Sequence, residues 1–368
     1  MKDNQNRHRG SNLRLSACIS LLVFSVIIGA NCSRNSSPDK AQLTPGNPVT
    51  KNIMNEEIHS YSVELEKGQF VNLSVEQRDV DIITKVFTPT GELVGEFDTP
   101  TSGRGTEAIR IGTETAGEYR VEIYTLSERA EPGEYKLEIA AFRPLTDRDQ
   151  KVLDAVKFHQ EADILRSKPE TRRESIPVYE MALQIWRELG ELADEGNTLR
   201  AMGFAYQRMD ELEKAKEHFG KALEIWEKIG DSRSAAFTHI IFGVIAKKQN
   251  DLETGLKEDL KAQPLWEKAN DMPQYTQNLV LVGNDYIKLQ NNAETLKHFE
   301  QALENSRRLE RKSIQAYVLS ECGNAQATVG NKNEALSFYR QSLELWKNLK
   351  QDKVVTSLEE KIAKLEAN

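Results

Sequence analysis

The four tryptophans of this chain, Trp186, Trp226, Trp266 and Trp346, are separated by 40, 40 and 80 residues, with Ser306 in the one slot the series skips. Four glycines, Gly203, Gly243, Gly283 and Gly323, keep the same period, each 23 residues ahead of its Trp or Ser slot. Two independent residue types in one register argue against coincidence. A fixed period of about 20 to 50 residues marks a solenoid, whose units bury their apolar faces only by stacking on their neighbours.

The remaining length, out of 368 residues in all, leaves room for a further domain. A basic stretch with Arg7, Arg9 and Arg14 leads into an uncharged run from Leu15 to Ala30. Residues 1–31 thus have the shape of a signal peptide, and the run is shorter than the ~20 apolar residues of a comfortable membrane span. Cys32 follows Gly29-Ala30-Asn31, which resembles the lipobox of bacterial lipoproteins, although Gly29 and Asn31 depart from its usual letters. That resemblance implies lipidation at Cys32; plain cleavage after Ala30 is the alternative. Leu15-Ser16-Ala17-Cys18 fits the letters better but precedes the apolar run. Ser33 to Pro48 is rich in Ser, Asn and Pro, and residues 32–55 read as an unfolded tether. The expected location is the periplasm or cell envelope, with membrane contact only through an N-terminal lipid. A net charge of -8, more negative still without the basic leader, argues against a nucleic-acid partner. With Cys32 lipidated, Cys322 is left alone in the mature chain, so no disulfide framework or thiol metal site is expected.

Residues 56–143 change to a period of two. Tyr61, Val63 and Leu65 alternate with polar residues, as do Val71, Leu73 and Val75, then Tyr119, Val121 and Ile123, then Tyr135, Leu137 and Ile139. About seven short strands with frequent turns, such as Glu66-Lys67-Gly68 and Pro89-Thr90-Gly91, predict an antiparallel β-sandwich. Gly68-Gln69-Phe70, the turn Pro89-Thr90-Gly91-Glu92-Leu93, and the paired starts Gly117-Glu118-Tyr119 and Gly133-Glu134-Tyr135 resemble the pre-peptidase C-terminal domain of secreted bacterial proteins. Relatives of that family bind calcium, polysaccharide or collagen-like partners through loop carboxylates, a role open here to Asp79, Asp81, Glu96 and Asp98. Without an EF-hand ladder these read first as acids on a solvated loop. His59 reads as a surface strand residue.

Arg143-Pro144-Leu145-Thr146-Asp147 closes the sandwich, with Thr146 or Asp147 offered as an N-cap. Everything beyond reads helical: five repeats over residues 147–351 and a capping helix over 352–368, in which Val355, Leu358, Ile362 and Leu365 form one apolar stripe. Leu199, Met202-Gly203 and Tyr206, followed by Ala215, Phe219 and Ala222, resemble the tetratricopeptide pattern. Phe242-Gly243, Gly255 and Ala262 follow it in the third unit. Leu279, Gly283, Tyr286, Phe299 and Ala302 do so in the fourth, and Leu319, Gly323, Ala335, Tyr339 and Ser342 in the fifth. The period exceeds the family's usual length of about 34, and the extra residues lengthen the second helix, which carries the Trp. HEAT and armadillo arrays also use two-helix units of about 40 residues, but the Gly and Ala sites favour the tetratricopeptide resemblance. Each glycine is expected to let the second helix of its unit approach the first. Turns are expected at Asp210, Asn250-Asp251, Asn291-Asn292 and Gly330-Asn331. The first unit is atypical, with Asp163 in the glycine slot and Pro177 displacing or kinking its second helix; Pro264 should bend that of the third.

Chemistry is sparse. The tryptophans are expected in the core, and Cys322 occupies an apolar slot as a packed thiol. His218 and His298 sit at equivalent, half-buried positions, and His159 and His239 at an equivalent packing slot. No Ser/His/Asp spacing, phosphate loop or His-Glu-x-x-His is found, so no enzyme, cofactor or metal is expected. The tetratricopeptide resemblance implies a concave face that binds a protein or peptide. On the family pattern the exposed residues are Asn197, Arg200, Phe204 and Gln207; Phe237, Ile240, Val244 and Lys247; Gln277, Val280, Asn284 and Ile287; and Tyr317, Ser320, Asn324 and Ala327. Arg208, Lys248 and Lys288 add a basic column at one edge, also explained by the helix dipole.

A sandwich joined to 40-residue tetratricopeptide units resembles bacterial proteins that often end in a caspase-like CHAT peptidase domain; no such domain is expected here. The expectation is a non-catalytic exported scaffold. The alternatives are an accessory subunit of a separately encoded peptidase and a glycan or matrix binder working through the sandwich.

Overall fold

The computed structural model describes residues 41–54, 57–98, 104–125 and 131–367. The signal and lipidation expectations, including Cys32, lie outside these residues.

Nine strands among the described residues form the sandwich: β1 (Ala41–Gln42), β2 (Val49–Ile53), β3 (Ile58–Leu65), β4 (Gln69–Arg78), β5 (Ile83–Phe87), β6 (Leu93–Phe97), β7 (Arg104–Gly112), β8 (Gly117–Tyr124) and β9 (Gly133–Pro144). One sheet runs β1-β3-β8-β5-β6 and the other β2-β9-β4-β7. Alternate residues of β3, β4, β7, β8 and β9 point between the sheets, as the period of two requires, and the core collects Tyr61, Val63, Leu73, Val75, Ile109, Val121 and Leu137. The β3–β4 and β5–β6 turns use Gly68 and Gly91 at φ of 79° and 88°.

The sandwich begins earlier than its composition suggested. Residues 41–54 are not tether: β1 pairs with β3 and β2 with β9, and Leu43 and Ile53 are buried in the common core. Burying Leu43, Val49 and Ile53 draws this polar stretch into the sheets. Because β1 runs parallel to β3, its sheet is mixed rather than purely antiparallel.

Thr146 caps the first helix reciprocally with Asp149, its side chain accepting from the Asp149 amide while the Asp149 carboxylate accepts from the Thr146 amide. Five helix pairs follow: α1 (Asp147–Ser167) and α2 (Ser175–Leu189), α3 (Leu192–Arg208) and α4 (Leu212–Ile229), α5 (Ser232–Lys248) and α6 (Leu252–Lys268), α7 (Met272–Lys288) and α8 (Asn292–Arg308), α9 (Lys312–Thr328) and α10 (Lys332–Asn348). Turns within units 2, 3 and 5 fall at left-handed Asp210, Asn250 and Gly330, as expected; in unit 4 the left-handed residue is Gln290, one position early. Pro177 lies in the first turn of α2, where no amide hydrogen is needed, so the helix starts late behind a 3-10 turn, Arg172–Glu174. α6 runs through Pro264 without interruption. The last helix, α11 (Asp352–Ala367), covers the end with Leu358, Ile362 and Leu365 against Tyr339 and Trp346.

Sandwich and array share apolar contact at their junction. Phe70 of β4 joins Val152, Ala155, Ala182 and Trp186 in one cluster, and Val156 packs on the sandwich core. The bare Cα of Gly112 admits Leu153, whose Cδ1 lies 2.6 Å from where a Cβ would stand.

Candidate functional site

The glycine slots position the helices that carry the inner face. A Cβ on Gly203, Gly283 or Gly323 would lie 2.6, 2.8 or 2.5 Å from the ring of Phe219, Phe299 or Tyr339 respectively. Each glycine is thus the seat of an aromatic ring from the second helix of its unit. In unit 1 the ring is kept and the glycine is replaced: Asp163 accepts a hydrogen bond from the hydroxyl of Tyr179 at 2.5 Å, and Arg166 donates to both. In unit 3 the ring is missing. Asp259 occupies its place, fully buried, with Oδ1 against Gly243.

Asp259 belongs to a charged cluster that the sequence reading did not foresee. Lys247 donates to Asp259 and, at 2.8 Å, to Asp285, also fully buried, while Lys288 reaches Asp285 at 3.2 Å. Burial and the neighbouring Asp285 push the Asp259 carboxyl up to about 7, against the pull of Lys247. The signal was available: Asp259 stands in register with Tyr179, Phe219, Phe299 and Tyr339, and Asp285 with Ala205, Ile245 and Ala325.

The inner-face residues divide by what they already touch. Arg200 and Val280 are buried, not exposed. Arg200 donates to Asn197 at 2.9 Å and lies 6.0 Å from the Trp226 ring, and burial pulls its guanidinium down to about 10. Val280 joins Leu279, Phe299 and Val318 because the first helix of the next unit packs over it. Lys247 is half-buried and held by its two carboxylates. Phe204 stacks edge-to-face on Phe219 at 5.1 Å and tilts against Phe237 at 6.5 Å. Phe237 and Ile240 pack on Trp266, and Ile287 on the Val280 cluster. Asn284 and Asn324 donate to Glu321 at 3.3 and 3.1 Å, and Asn324 also accepts from Tyr339 and Lys361. Gln207 and Val244 are half-buried, while Gln277 and Tyr317 are exposed. On α1 the equivalent slot is Gln160, which donates to the Glu96 carbonyl of the sandwich at 3.1 Å.

Other candidates resolve into structure. Trp186, Trp226 and Trp266 are 2% exposed, and Trp226 lies over Gly196, whose missing Cβ makes room for the indole. Trp346, in the last unit, is half-buried under α11. Cys322 is buried and its thiol is pushed up to about 12, so it stays protonated. His218 and His298 make the same bond, Nδ1 within 2.8 Å of the carbonyl one turn back, and the same tilt onto Tyr206 and Tyr286. His159 meets Thr198, and His239 meets Glu258. His59 is not a surface residue: it is half-buried, with Nδ1 2.6 Å from the Tyr135 hydroxyl, and burial lowers its pKa. Asp79 is held bidentately by Arg104 at 2.6 and 2.8 Å and Glu96 by Lys85 at 3.1 Å. Among the described residues no group of three or more His, Cys, Asp or Glu is arranged to hold a metal ion.

The tetratricopeptide-repeat family matches at residues 172–228, 194–257 and 275–348. The helical region is built of tetratricopeptide repeats. No curated protein matches the chain. Among solved structures, similar folds include the tetratricopeptide-like repeats of a putative kinesin light chain from Podosopora anserina (12% identity, 56% of this chain and 99% of that one, TM-score 0.45). BtubC from P. vanneervenii is similar over the same share of this chain (13% identity, 56% and 93%, TM-score 0.40). The pre-peptidase C-terminal domain of collagenase from Bacillus anthracis is similar to a smaller part (9% identity, 29% and 99%, TM-score 0.25). These likenesses concern fold alone.

Proposed function

We propose that the chain is an exported, non-catalytic scaffold that holds a protein partner, as a peptide or helix, on the inner face of repeat units 3 to 5. The observation that carries this reading is the tetratricopeptide array itself, whose first helices still offer a mixed apolar and amide surface. Ile240, Val244, Gln277, Ile287 and Tyr317 remain at least partly exposed along successive first helices. Such a strip suits alternate side chains of an extended segment or one face of a helix. The basic column is a weaker candidate, since Lys248 pairs with Asp210 and Lys288 with Asp285. Of the sandwich carboxylates, Asp79 and Glu96 are likewise held by cations of their own domain. Export rests on the basic start and uncharged run of residues 1–31, and tethering on Cys32.

Photo-crosslinking residues placed at Gln277 and Tyr317 in the producing cell should trap one common protein, and the same residue at Glu224, exposed on the second helix α4, should not. Equal labelling at all three sites, or none at the first two, would overturn the inner-face reading. Cys32→Ala should release the protein from membranes and abolish lipid labelling; unchanged fractionation would refute the anchor.

A further inference from the structure

Solenoid units touch only their neighbours, so the ends of a tetratricopeptide array have no direct hold on one another. Here the sandwich supplies one. At the near end it is joined to α1 through the apolar cluster of Phe70, Val152 and Trp186, with Arg110 donating to Asp194 of α3 at 2.9 Å. Further along, Arg104, which holds Asp79, lies 3.9 Å from Asp271, the buried N-cap of α7, and Arg233 of α5 reaches the same carboxylate at 3.3 Å. At the far end Glu131 meets the start of α9: its two carboxylate oxygens accept from the backbone amides of Lys312 and Ser313 at 2.9 and 2.8 Å and from the Ser313 hydroxyl at 2.5 Å. Arg311 donates to the Pro132 carbonyl at 2.7 Å. Gly133 keeps this segment beside Asp79, because a Cβ there would stand 2.7 Å from the Asp79 carbonyl oxygen. The far contact and the Arg104 contact therefore belong to one end of the sandwich.

The array is adapted to receive it. Asp231 and Asp271 cap α5 and α7 with their own carboxylates; the equivalent positions Glu191 of α3 and Arg311 of α9 make no side-chain cap, and at α9 the residue is a cation. The first amides of a helix have no partner within it, and a carboxylate there also complements the helix dipole. Glu131, more than 170 residues away in sequence, provides what the local sequence lacks.

We propose that the sandwich is a releasable strap across the array, fixed at unit 1 and latched at unit 5 by Glu131 and Arg311, and that the latch sets the curvature of the inner face. The two attachments differ in kind. The first is mainly apolar and continuous with the cores, with the single Arg110–Asp194 pair beside it; the second consists of charge-assisted hydrogen bonds at a partly exposed site, with Glu131 and Arg311 side chains 15% and 19% exposed. Salt weakens the second and leaves the apolar cluster of the first in place. The strap does not depend on the partner proposed above.

Hydrogen exchange on the full chain tests it, because among the described residues it is the Glu131 carboxylate that accepts from the Lys312 and Ser313 amides. Glu131→Ala should raise exchange at the start of α9 on the order of tenfold, the effect of losing charge-assisted bonds, and Glu131→Gln by less. α3 and α5 should not change, and small-angle scattering should show a larger radius of gyration. Raising salt should reproduce the change in the unsubstituted protein and add nothing in Glu131→Ala. Glu134→Ala, which removes a partner of Arg78 inside the sandwich, serves as control and should leave α9 unaffected. Unchanged exchange at α9 in Glu131→Ala, or an equal rise in all helices, would overturn the strap.

Discussion

Repeat unit 3 and its neighbours solve the same packing problem with opposite chemistry. In units 2, 4 and 5 a glycine on the first helix seats a ring from the second, Phe219, Phe299 or Tyr339, and the helices close over an apolar contact. In unit 3 the glycine is kept and the ring is replaced by Asp259, which Lys247 balances while also bridging to a second buried carboxylate, Asp285. Packing a ring is favourable in itself, whereas a buried ion cluster roughly offsets its own desolvation and becomes costly once a partner is removed. The aromatic units should therefore lose stability with contact area, and unit 3 with charge balance.

The largest effect is expected from the rings. Phe219→Ala or Phe299→Ala opens a cavity above a glycine that cannot fill it, at a cost of about 3–5 kcal/mol, read as faster exchange in α3–α4 or α7–α8. Lys247→Met should cost a similar ~3–5 kcal/mol because it strands the buried Asp259 carboxyl and leaves Asp285 only its bond from Lys288. The difference lies in pH. The Asp259 carboxyl is raised to about 7 from an ordinary 3.8, so the folded chain holds a proton that the unfolded chain has released. The stability this group contributes is whole below about 4 and is lost as pH rises through 7. Unit 3 should then weaken between pH 5 and pH 8 relative to an Asp259→Asn variant, while the Phe219→Ala loss stays level. A pH-independent Lys247→Met penalty would break the distinction.

How far these features could be read in advance follows from what repeats and what does not. The 40-residue register exposed the helix pairs, their turns and the burial of the tryptophans, because each was written several times. The inner face was harder. Arg200 and Val280 sit on the expected stripe but are covered by neighbouring elements, and the twist between units is not encoded in a single unit's pattern. Asp259 was visible as a departure from the aromatic slot, yet its meaning depended on Lys247 and Asp285, which converge only in space. The early strands β1 and β2 escaped because Leu43, Val49 and Ile53 are too sparse to show a period.

Unit 1 is an intermediate case, with a ring retained but its glycine replaced by Asp163. Tyr179→Phe keeps the ring and removes the hydroxyl that bonds Asp163 and Arg166, so a loss of about 1.5–3 kcal/mol is expected, that of a buried hydrogen bond to a charged group. In unit 5 Tyr339→Phe removes only a bond to the neutral Asn324 and should cost about 0.5–1.5 kcal/mol. Equal losses at the two tyrosines would show that the Asp163 pair adds nothing.

The smallest effect is the most informative. Replacing the unit 3 cluster as a whole, with Lys247→Gln, Asp259→Phe and Asp285→Ala, copies residues found at the same register in unit 2, namely Gln207, Phe219 and Ala205. Each single change leaves an unbalanced charge or an overfilled slot; together they rebuild the ring-on-glycine contact over Gly243. Buried ion clusters exchanged as sets for apolar residues of similar volume are often neutral or gain about 1–4 kcal/mol. The triple variant should therefore denature at or above the temperature of the parent, with its pH dependence between 5 and 8 flattened. Denaturation well below the parent would mean that unit 3 is shaped for its ions by more than these three side chains, with Gly255 in the slot of Ala215 the first place to look.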